Sequence, residues 1–369
     1  MSGSYRFGYH RGIVTDSTEP RPELAIQPLQ FTGRGTEYFR IWIVNLALTV
    51  ITIGVYSAWA KVRRLQYFYR HTRLAGSGLD YHGDPIAILK GRFVGLILLG
   101  LYSAIGYVEW RMALLILVTL AAIAPWLIAR SLAFRMHNTS YRGIRFRFSG
   151  GLRTAYWVFL ALPILTMLSL FLAGPFWHHR MKRYQVHHAA YGRTPFEFRA
   201  EVGEFFVTYV VAVASFVAFL FLATILIIAI GVGSAMAGTL SPDAPPAVET
   251  AGLVLFIALY VPAALAIQAL VTARLQNAVW NTTTIAGHRF SCEIRWFRLF
   301  GIQLTNLLAT VATVGLYRPF AQVRLARYFA GVFSLLPAGP LDTLAAAEAG
   351  EVSAVGEEAV GFFDLDIGL

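Results

Sequence analysis

Three arginines at equivalent positions of an internal repeat are the residues of this sequence best suited to bind a ligand. Residues 31–67 recur at offsets of 117 and 261 without gaps, which aligns Arg63, Arg180 and Arg324. A guanidinium group binds phosphate or carboxylate through two parallel hydrogen bonds. The arginines are therefore candidates for holding an anionic lipid headgroup or solute. The alternative is that they snorkel to the headgroups and only anchor the protein.

Aromatic residues accompany each arginine at helical spacing. Trp59, Phe176 and Phe320 lie four residues before the arginines, and Tyr67, Tyr184 and Tyr328 lie four residues after them. Residues four apart share one helical face, so each repeat is predicted to end in a short amphipathic helix. The candidate anion- or headgroup-binding set is Arg63, Arg180, Arg324, Trp59, Tyr67, Tyr184 and Tyr328. The aromatic members also fit a plain interfacial belt, which is the alternative.

Other reactive side chains are poorly spaced for chemistry. The histidines at 178, 179, 187 and 188 lack the i, i+4 spacing of a helical metal site, and Arg180, Lys182 and Arg183 between them repel a cation. The lone Cys292 excludes an intramolecular disulfide. Motifs of nucleotide-binding proteins, metalloproteases and serine hydrolases are absent from the sequence. We therefore predict a protein that is not an enzyme and has no metal or cofactor.

The elements that must position these residues are membrane helices. Hydrophobic residues make up 57% and charged residues 14% of the chain, and the mean hydropathy is +0.58, which excludes an ordinary soluble protein. Four uncharged segments predict spanning helices: residues 93–108, 112–129, 205–237 and 251–271.

The apolar parts of the three repeats are also long enough to span, so seven transmembrane helices are an alternative. The segments 61–92, 130–153, 178–204 and 272–298 carry 7, 6, 5 and 4 Lys and Arg residues, and seven spans would place some of them on the outer side. We therefore predict an all-α polytopic membrane protein with four spanning helices and three re-entrant or interfacial hairpins. The hairpins are expected to bend near Gly54, Gly174–Pro175 and Gly315. Alternating residues at 145–148 and 288–291 predict brief extended lead-ins.

The repeat divides the chain into five parts. A polar N-terminal segment (1–28) precedes repeat unit 1 (29–145) and repeat unit 2 (146–289), each a hairpin plus two spans. A truncated repeat unit 3 (290–337) and an acidic C-terminal tail (338–369) follow. The tail carries −7 and the rest of the chain +18, and both termini are predicted to be cytoplasmic.

This charge pattern indicates the class of partner. In a membrane protein, a basic body fits the positive-inside bias and attraction to anionic lipids, so no nucleic acid is expected. The acidic tail is either a solvated appendage or a docking segment for a protein partner or a second copy of the chain.

Three sequence stretches resemble the DUF898 (YjgN-like) family of bacterial inner-membrane proteins: GVYSAWAKVR at 54–63, NTSYRGIRF at 138–146 and FFDLDIGL at 362–369. The resemblance implies a polytopic protein of the bacterial cytoplasmic membrane. It implies no activity, because the family is one of unknown function with no catalytic or binding residues to carry over.

Two functions remain open at this point. The first is a non-enzymatic transporter or channel that handles an anionic lipid or solute through a cytoplasm-facing cavity, which repeats and broken helices at membrane depth favour. The alternative is an accessory or scaffolding subunit for a membrane partner.

Overall fold

A computed structural model describes residues 25–106, 110–240 and 247–340. Ten short strands alternate with pairs of helices along the described chain. The strands are β1 (Gln27–Phe31), β2 (Thr72–Leu74), β3 (Ser77–Tyr81), β4 (Thr139–Tyr141), β5 (Ile144–Phe148), β6 (Ala189–Tyr191), β7 (Thr194–Phe198), β8 (Thr283–Ile285), β9 (His288–Cys292) and β10 (Phe333–Leu336). The helices are α1 (Gly35–Ile51), α2 (Ser57–Arg70), α3 (Pro85–Gly106), α4 (Trp110–His137), α5 (Leu152–Tyr156), α6 (Leu162–Leu168), α7 (Gly174–His187), α8 (Val202–Leu240), α9 (Ala247–Asn281), α10 (Trp296–Ala312) and α11 (Arg318–Gly331).

The ten strands close into one antiparallel barrel, so the prediction of an all-α protein is wrong. Each strand has only three to five residues, too few for a clear alternating pattern in the sequence. The predicted lead-ins at 145–148 and 288–291 do lie in β5 and β9. Their pairing with eight further strands was not recognised, because strands this short look like connectors between helices.

The barrel is an up-and-down meander in which each strand pairs with its neighbours in sequence, and β1 closes the ring against β10. Two-residue turns join β2 to β3, β4 to β5, β6 to β7 and β8 to β9. At Ala75–Gly76, Arg142–Gly143 and Ala286–Gly287 both central residues have positive φ, the conformation that matches the twist of a tight hairpin. All tight turns therefore lie at one end of the barrel, the turn rim, and all helical pairs leave from the other end, the helix rim.

Side chains that alternate along the strands fill the inside of the barrel. Ile144, Tyr191 and Ile285 form its buried core, with Phe146, Phe196 and Phe290 packed against them. The ring centroid of Phe196 lies 6.3 Å from that of Phe146 and 6.1 Å from that of Phe290. A ten-stranded barrel is slightly wider than the eight-stranded kind that side chains just fill, which explains why aromatic residues occupy the middle layer.

Five helical pairs stand on the helix rim, and each begins and ends with a barrel strand. A π-helical turn at Trp157–Ala161 joins α5 to α6, which together form one arm of the pair that α7 completes. Two of them, α3 with α4 and α8 with α9, supply four apolar spans: Pro85–Ala104, Trp110–His137, Val202–Leu226 and Phe256–Asn281. The prediction of four helices that are long and apolar enough to span a membrane is thereby confirmed. Within the most apolar part of each segment, only 6–18% is buried inside the protein, so most of this surface is available to lipid.

The three sequence repeats form the other helical pairs, which are shorter. The first turns at Ile53–Gly54 and the third at Val314–Gly315, as predicted. The second turns at Leu170–Phe171 rather than at Gly174–Pro175, which begins α7 instead. Proline at the first turn of a helix loses no hydrogen bond, so this pair is a helix start and not a bend.

The same hydrogen bonds fix all three turns. The amide N–H groups of Gly54, Phe171 and Gly315 donate to the carbonyl oxygens of Thr49, Thr166 and Thr310 at 2.7–2.8 Å. The hydroxyl groups of Thr52, Ser169 and Thr313 then accept from amides at the start of the next helix, at 2.9–3.0 Å. The second copy keeps this geometry with Leu170 and Phe171 at positive φ. Residues other than glycine adopt this backbone conformation only at a cost in free energy.

The helical pairs form a ring that closes within the chain. Tyr38 of α1 donates to the side-chain oxygen of Gln322 in α11 at 3.0 Å, and Phe39 stacks on Phe320 at 5.5 Å. The third repeat is therefore completed by the first. Seven spans do not fit this arrangement, because both ends of every repeat helical pair lie at the same rim.

Candidate anion-binding cleft at the first helical hairpin

The aligned tyrosines hold their own hairpins together. The hydroxyl of Tyr67 donates to the carbonyl oxygen of Arg34 and accepts from its amide, both at 2.8 Å, and Tyr328 makes the same pair with Arg295 at 3.1 Å. Tyr184 is 1% exposed, and its hydroxyl has no hydrogen-bond partner among the described residues. Tyr67 and Tyr184 are buried, so a ligand reaches the arginines of the candidate set more readily than these two members.

The aligned arginines each contact their own hairpin. The guanidinium carbon of Arg63 lies 5.7 Å from the ring centroid of Tyr56, and that of Arg180 lies 5.0 Å from Phe176. Arg324 donates to the hydroxyl of Thr305 at 2.8 Å. Trp59, the remaining member of the set, stacks on Tyr56 at 6.1 Å. These contacts join no two of the three arginines into one site.

Arg63 does border an open cleft of about 530 Å³ between α1 and α2. Arg40, Arg70 and His71 also line it. Arg70 is bonded to the carboxylate of Asp80 at 2.9 Å, so part of its charge is neutralised.

Another cleft, on a different face of this first hairpin, is better suited to bind an anion. It measures about 350 Å³, within the range of small-molecule pockets, and lies between α1, α2 and α3. Its cations are Lys61, Arg64 and Arg92, and no Asp or Glu is among its lining residues. We call this cleft the first cleft, because it belongs to the first repeat.

The surroundings of the first cleft leave its charge uncompensated. Partial burial and the neighbouring guanidinium groups of Arg92, Arg64 and Arg135 lower the pKa of Lys61. Arg92 donates to the hydroxyl of Ser57, which fixes its guanidinium group at the mouth of the cleft. An anion bound here would relieve the repulsion among these cations.

Polar and aromatic groups complete the lining of the first cleft. Asn45 is 6% exposed, and its side-chain oxygen has no hydrogen-bond partner in the described protein. This oxygen is shielded from solvent, so Asn45 is part of the packed wall of the first cleft. Tyr38, Trp42 and Thr49 line the rest.

The first cleft lies close to the base of a membrane span. Arg92 is the eighth residue of α3, so it sits about 10 Å along that helix from the barrel. The residues of α3 beyond Arg92 are apolar, so the cations lie at the barrel side of this candidate span.

The equivalent place in the second repeat, which we call the second cleft position, is neutral. Offsets of 117 bring His178, Met181 and Tyr209 to the places of Lys61, Arg64 and Arg92. His178 and the hydroxyl of Tyr209 form a hydrogen bond of 3.0 Å. Burial, with a smaller contribution from Lys182, lowers the pKa of His178 to about 4, so this residue is uncharged at neutral pH.

The remaining histidines of this region are structural. The ring of His179 bonds to the carbonyl oxygen of Ala200 at 2.9 Å, and His188 bonds to that of Tyr184 at 3.1 Å. The first contact fixes α7 against the segment that leads into α8, and the second closes the last turn of α7.

Recurrence among the repeats did not point to Lys61, Arg64 or Arg92 as binding residues. The cations of the first cleft occupy positions at which the repeats differ, so an alignment of the repeats passes over them. The cluster Lys61–Val62–Arg63–Arg64, together with Arg92 one helix later, was the available signal.

Comparison with known proteins places the chain among bacterial membrane proteins. The family described as "Bacterial protein of unknown function (DUF898)" matches residues 26–362. The chain is similar to the inner membrane protein YjgN of Salmonella typhimurium strain LT2, with 32% identity over 145 residues, 39% of this chain and 37% of that protein. It is also 32% identical to YjgN of Escherichia coli K12 over 145 residues, 38% of this chain and 35% of that protein. The matched segment thus spans little more than a third of each relative, and no solved structure matches the chain.

Proposed function

The chain belongs to the DUF898 family of bacterial proteins of unknown function, and we propose that it is a non-enzymatic protein of the inner membrane that binds an anionic lipid at the first cleft. The observation that carries this proposal is the convergence of Lys61, Arg64 and Arg92 on a cleft lined by no carboxylate. A phosphate group would bind both guanidinium groups through charge-assisted hydrogen bonds.

The charge of the first cleft narrows the class of headgroup. Three cations on a cleft that no carboxylate lines favour a headgroup with a net negative charge. The headgroup of phosphatidylglycerol carries such a charge, whereas the ammonium group of choline neutralises the phosphate of phosphatidylcholine. Phosphatidylglycerol therefore fits the first cleft better than phosphatidylcholine.

The orientation of the protein follows from its charge. The barrel collects the basic segments that flank the spans, and the positive-inside bias assigns such segments to the cytoplasm. We propose that the barrel and both termini are cytoplasmic, so the first cleft faces the inner leaflet.

Binding can be measured on the purified protein in detergent by thermophoresis with dioctanoyl phosphatidylglycerol, dioctanoyl phosphatidylcholine and inorganic phosphate. The double variant R64Q/R92Q should weaken phosphatidylglycerol binding at least tenfold, because two charge-assisted hydrogen bonds are lost. The matched control R63Q removes one neighbouring charge on the other cleft and should change the affinity less than twofold.

The outcomes separate the alternatives. An equal loss in R63Q would show that general surface charge, and not the first cleft, attracts the lipid. Phosphate binding as tight as that of phosphatidylglycerol would assign the cleft to a soluble anion.

We further propose that bound lipid or solute is moved, as in a transporter. Liposomes that contain the protein should redistribute labelled phosphatidylglycerol between leaflets, and R64Q/R92Q should slow this movement.

The mostly unburied apolar faces of the spans favour a second candidate, an accessory subunit that packs against a membrane partner. Binding without movement, together with loss of a co-purifying partner when residues 338–369 are deleted, would favour the accessory role.

A further inference from the structure

A further cleft lies between α8 and α9, where these two helices join the barrel. It measures about 600 Å³. Its charged residues are Glu201, Glu204 and Arg274, so it combines two carboxylates with one guanidinium group. All three residues are exposed, and none of them lines the first cleft. We call this cleft the mixed cleft.

A buried threonine holds the guanidinium group of the mixed cleft. The hydroxyl of Thr208, a residue that is 2% exposed, accepts from the Nε atom of Arg274 at 3.3 Å. The same hydroxyl donates to the carbonyl oxygen of Glu204 at 2.8 Å, which fixes its orientation. Among the described residues, the two Nη groups of Arg274 have no hydrogen-bond partner, so they are available to an anion.

The carboxylates of the mixed cleft are not neutralised by this arginine. Within the part of the chain that the structure describes, neither Glu201 nor Glu204 forms an ion pair or a side-chain hydrogen bond. Asp80, by contrast, bonds to Arg70 at 2.9 Å near the same rim of the barrel. The mixed cleft therefore holds charges of both signs that do not compensate each other.

Capping a helix by hydrogen bonds is not the role of these carboxylates. At the equivalent place in the first repeat unit, 117 residues earlier, Asp84 accepts from the amides of Ile86 and Ala87 at 2.9 and 3.3 Å. Glu201 takes the place of Asp84 but makes no such bond, and Glu204 takes the place of Ala87. The pair of carboxylates is thus a feature of the second repeat unit and not of the first.

Two signs of charge in one cleft favour a ligand that carries both. A simple anion would be repelled by the two carboxylates, and a simple cation would be repelled by Arg274. A phosphate group accepts paired hydrogen bonds from a guanidinium group, and a primary ammonium group donates up to three to carboxylates. A ligand with both groups satisfies the whole cleft.

The order of the charges along the helices matches the headgroup of a phospholipid. Glu204 lies four residues before Thr208, so its backbone is about 6 Å closer to the barrel than that of the threonine that holds Arg274. The two candidate spans extend from here away from the barrel. In an ethanolamine phospholipid the phosphate lies on the acyl-chain side, and the ammonium group follows two carbons beyond it. Such a headgroup places its phosphate at Arg274 and its ammonium group toward the carboxylates.

We infer that the mixed cleft binds a phosphoethanolamine group, with the phosphate on Arg274 and the primary ammonium group on Glu201 and Glu204. Phosphatidylethanolamine supplies this group in a membrane, and free phosphoethanolamine supplies it in solution. The inference does not depend on lipid binding at the first cleft, because the two clefts share no residue. Together they would distinguish headgroups by net charge.

Thermophoresis of the full-length protein in detergent tests the ligand. Dioctanoyl phosphatidylethanolamine should bind at least tenfold more tightly than dioctanoyl phosphatidylcholine, because a trimethylated ammonium group has no N–H for the carboxylates. Equal affinity for the two lipids would overturn the inference. Free phosphoethanolamine identifies the source of the group, and both of its outcomes agree with the proposed chemistry. Affinity equal to that of the lipid would assign the mixed cleft to a soluble zwitterion, and weaker affinity would assign it to phosphatidylethanolamine.

Substitutions separate the two halves of the mixed cleft. E201Q/E204Q should abolish the preference for phosphatidylethanolamine over phosphatidylcholine, because only the carboxylates distinguish the two ammonium groups. These residues are exposed and make no side-chain bonds to the described protein, so the fold should be unaffected. R274Q should instead weaken the binding of both lipids at least fivefold and keep the preference, because both carry a phosphate. A preference that persists in E201Q/E204Q would contradict the assignment of the ammonium group.

Arg130 provides the matched control for Arg274. It lies nine residues before β4, as Arg274 lies nine residues before β8, so the two arginines have equivalent places in α4 and α9. The helix paired with α4 has Ala87 at the place of Glu204. R130Q thus removes the same charge from a site without the second carboxylate, and should change the affinity for phosphatidylethanolamine less than twofold. A loss as large as that in R274Q would mean that arginines at the base of any span attract the lipid, and the mixed cleft would have no special role.

Discussion

The first cleft and the second cleft position occupy equivalent places in two repeats and differ in charge. In both, a repeat hairpin ends in a 14-residue helix that packs against the next spanning helix. Three cations occupy the first, and a histidine, a methionine and a tyrosine occupy the second. Residues common to the repeats therefore build the hairpin, and residues that differ between them determine what it can bind.

The shared residues explain why the backbone tolerates this difference. Thr49, Thr166 and Thr310 supply the same turn contact in all three hairpins, and none of the cleft cations takes part in it. The fold is thus fixed at one set of positions, and the charge of the cleft can change at another.

The largest expected effect comes from placing a charge at the second cleft position. His178 sits beside Phe205 and Tyr209 and bonds to the latter, so H178K introduces an ammonium group into an apolar, partly buried place near Lys182. We expect the free energy of unfolding to fall by about 2 kcal/mol, because the new charge is desolvated and has no acidic partner. Thermal unfolding followed by tryptophan fluorescence measures this loss.

The reciprocal substitution provides the comparison. K61H should raise the unfolding temperature slightly, because it removes one of three mutually repelling cations. H178Q controls for the loss of the imidazole ring. Equal unfolding temperatures for H178K and H178Q would mean that the second position is as hydrated as the first, and the contrast between them would fail.

A smaller effect should distinguish the aligned tyrosines. The hydroxyl of Tyr67 makes two hydrogen bonds to the backbone of Arg34, whereas that of Tyr184 has no described partner. Y67F should therefore destabilise the protein by about 1–2 kcal/mol, and Y184F should be neutral or slightly stabilising, because it removes an unsatisfied buried hydroxyl. Thermal unfolding of both variants tests this, and an equal loss in the two would show that the ring packing alone, and not the hydroxyl, distinguishes the repeats.

The sequence predicted the spans and missed the barrel for identifiable physical reasons. An uncharged run as long as 205–237 fits a helix that crosses a bilayer, so the spans could be predicted. Gly54 and Gly315 indicated turns, because a backbone at positive φ favours glycine. A three-residue strand such as Thr72–Leu74 is too short to show alternating hydrophobicity, and only its backbone pairing with neighbouring strands makes it a strand. The recurring turns Ala75–Gly76, Arg142–Gly143 and Ala286–Gly287 were the local signal of hairpins that could have revealed it.

The sequence singled out the first hairpin and did not single out the residues that line the first cleft. Repeated arginines near aromatics drew attention to this hairpin, yet Arg63 faces one cleft while Arg64 and Lys61 line the other. Adjacent helical residues point in different directions, and only the position of α3 decides which of them meets Arg92. That position depends on the closure of the barrel, which the sequence did not show.

The smallest expected effect is a pH dependence confined to the first cleft. Partial burial and neighbouring cations lower the pKa of Lys61 below its usual 10.5, so its ammonium group loses its proton at a lower pH than a free lysine does. Binding of dioctanoyl phosphatidylglycerol should therefore be strongest at neutral pH and weaken about twofold to threefold as the pH rises through this pKa.

The variant K61Q should bind more weakly at pH 7 and show a flat profile between pH 7 and 10, where arginine keeps its charge. A profile of the same steepness in K61Q would assign the titration to another group. H178Q should leave the profile unchanged, because the pKa of His178, about 4, keeps the second cleft position neutral throughout this range.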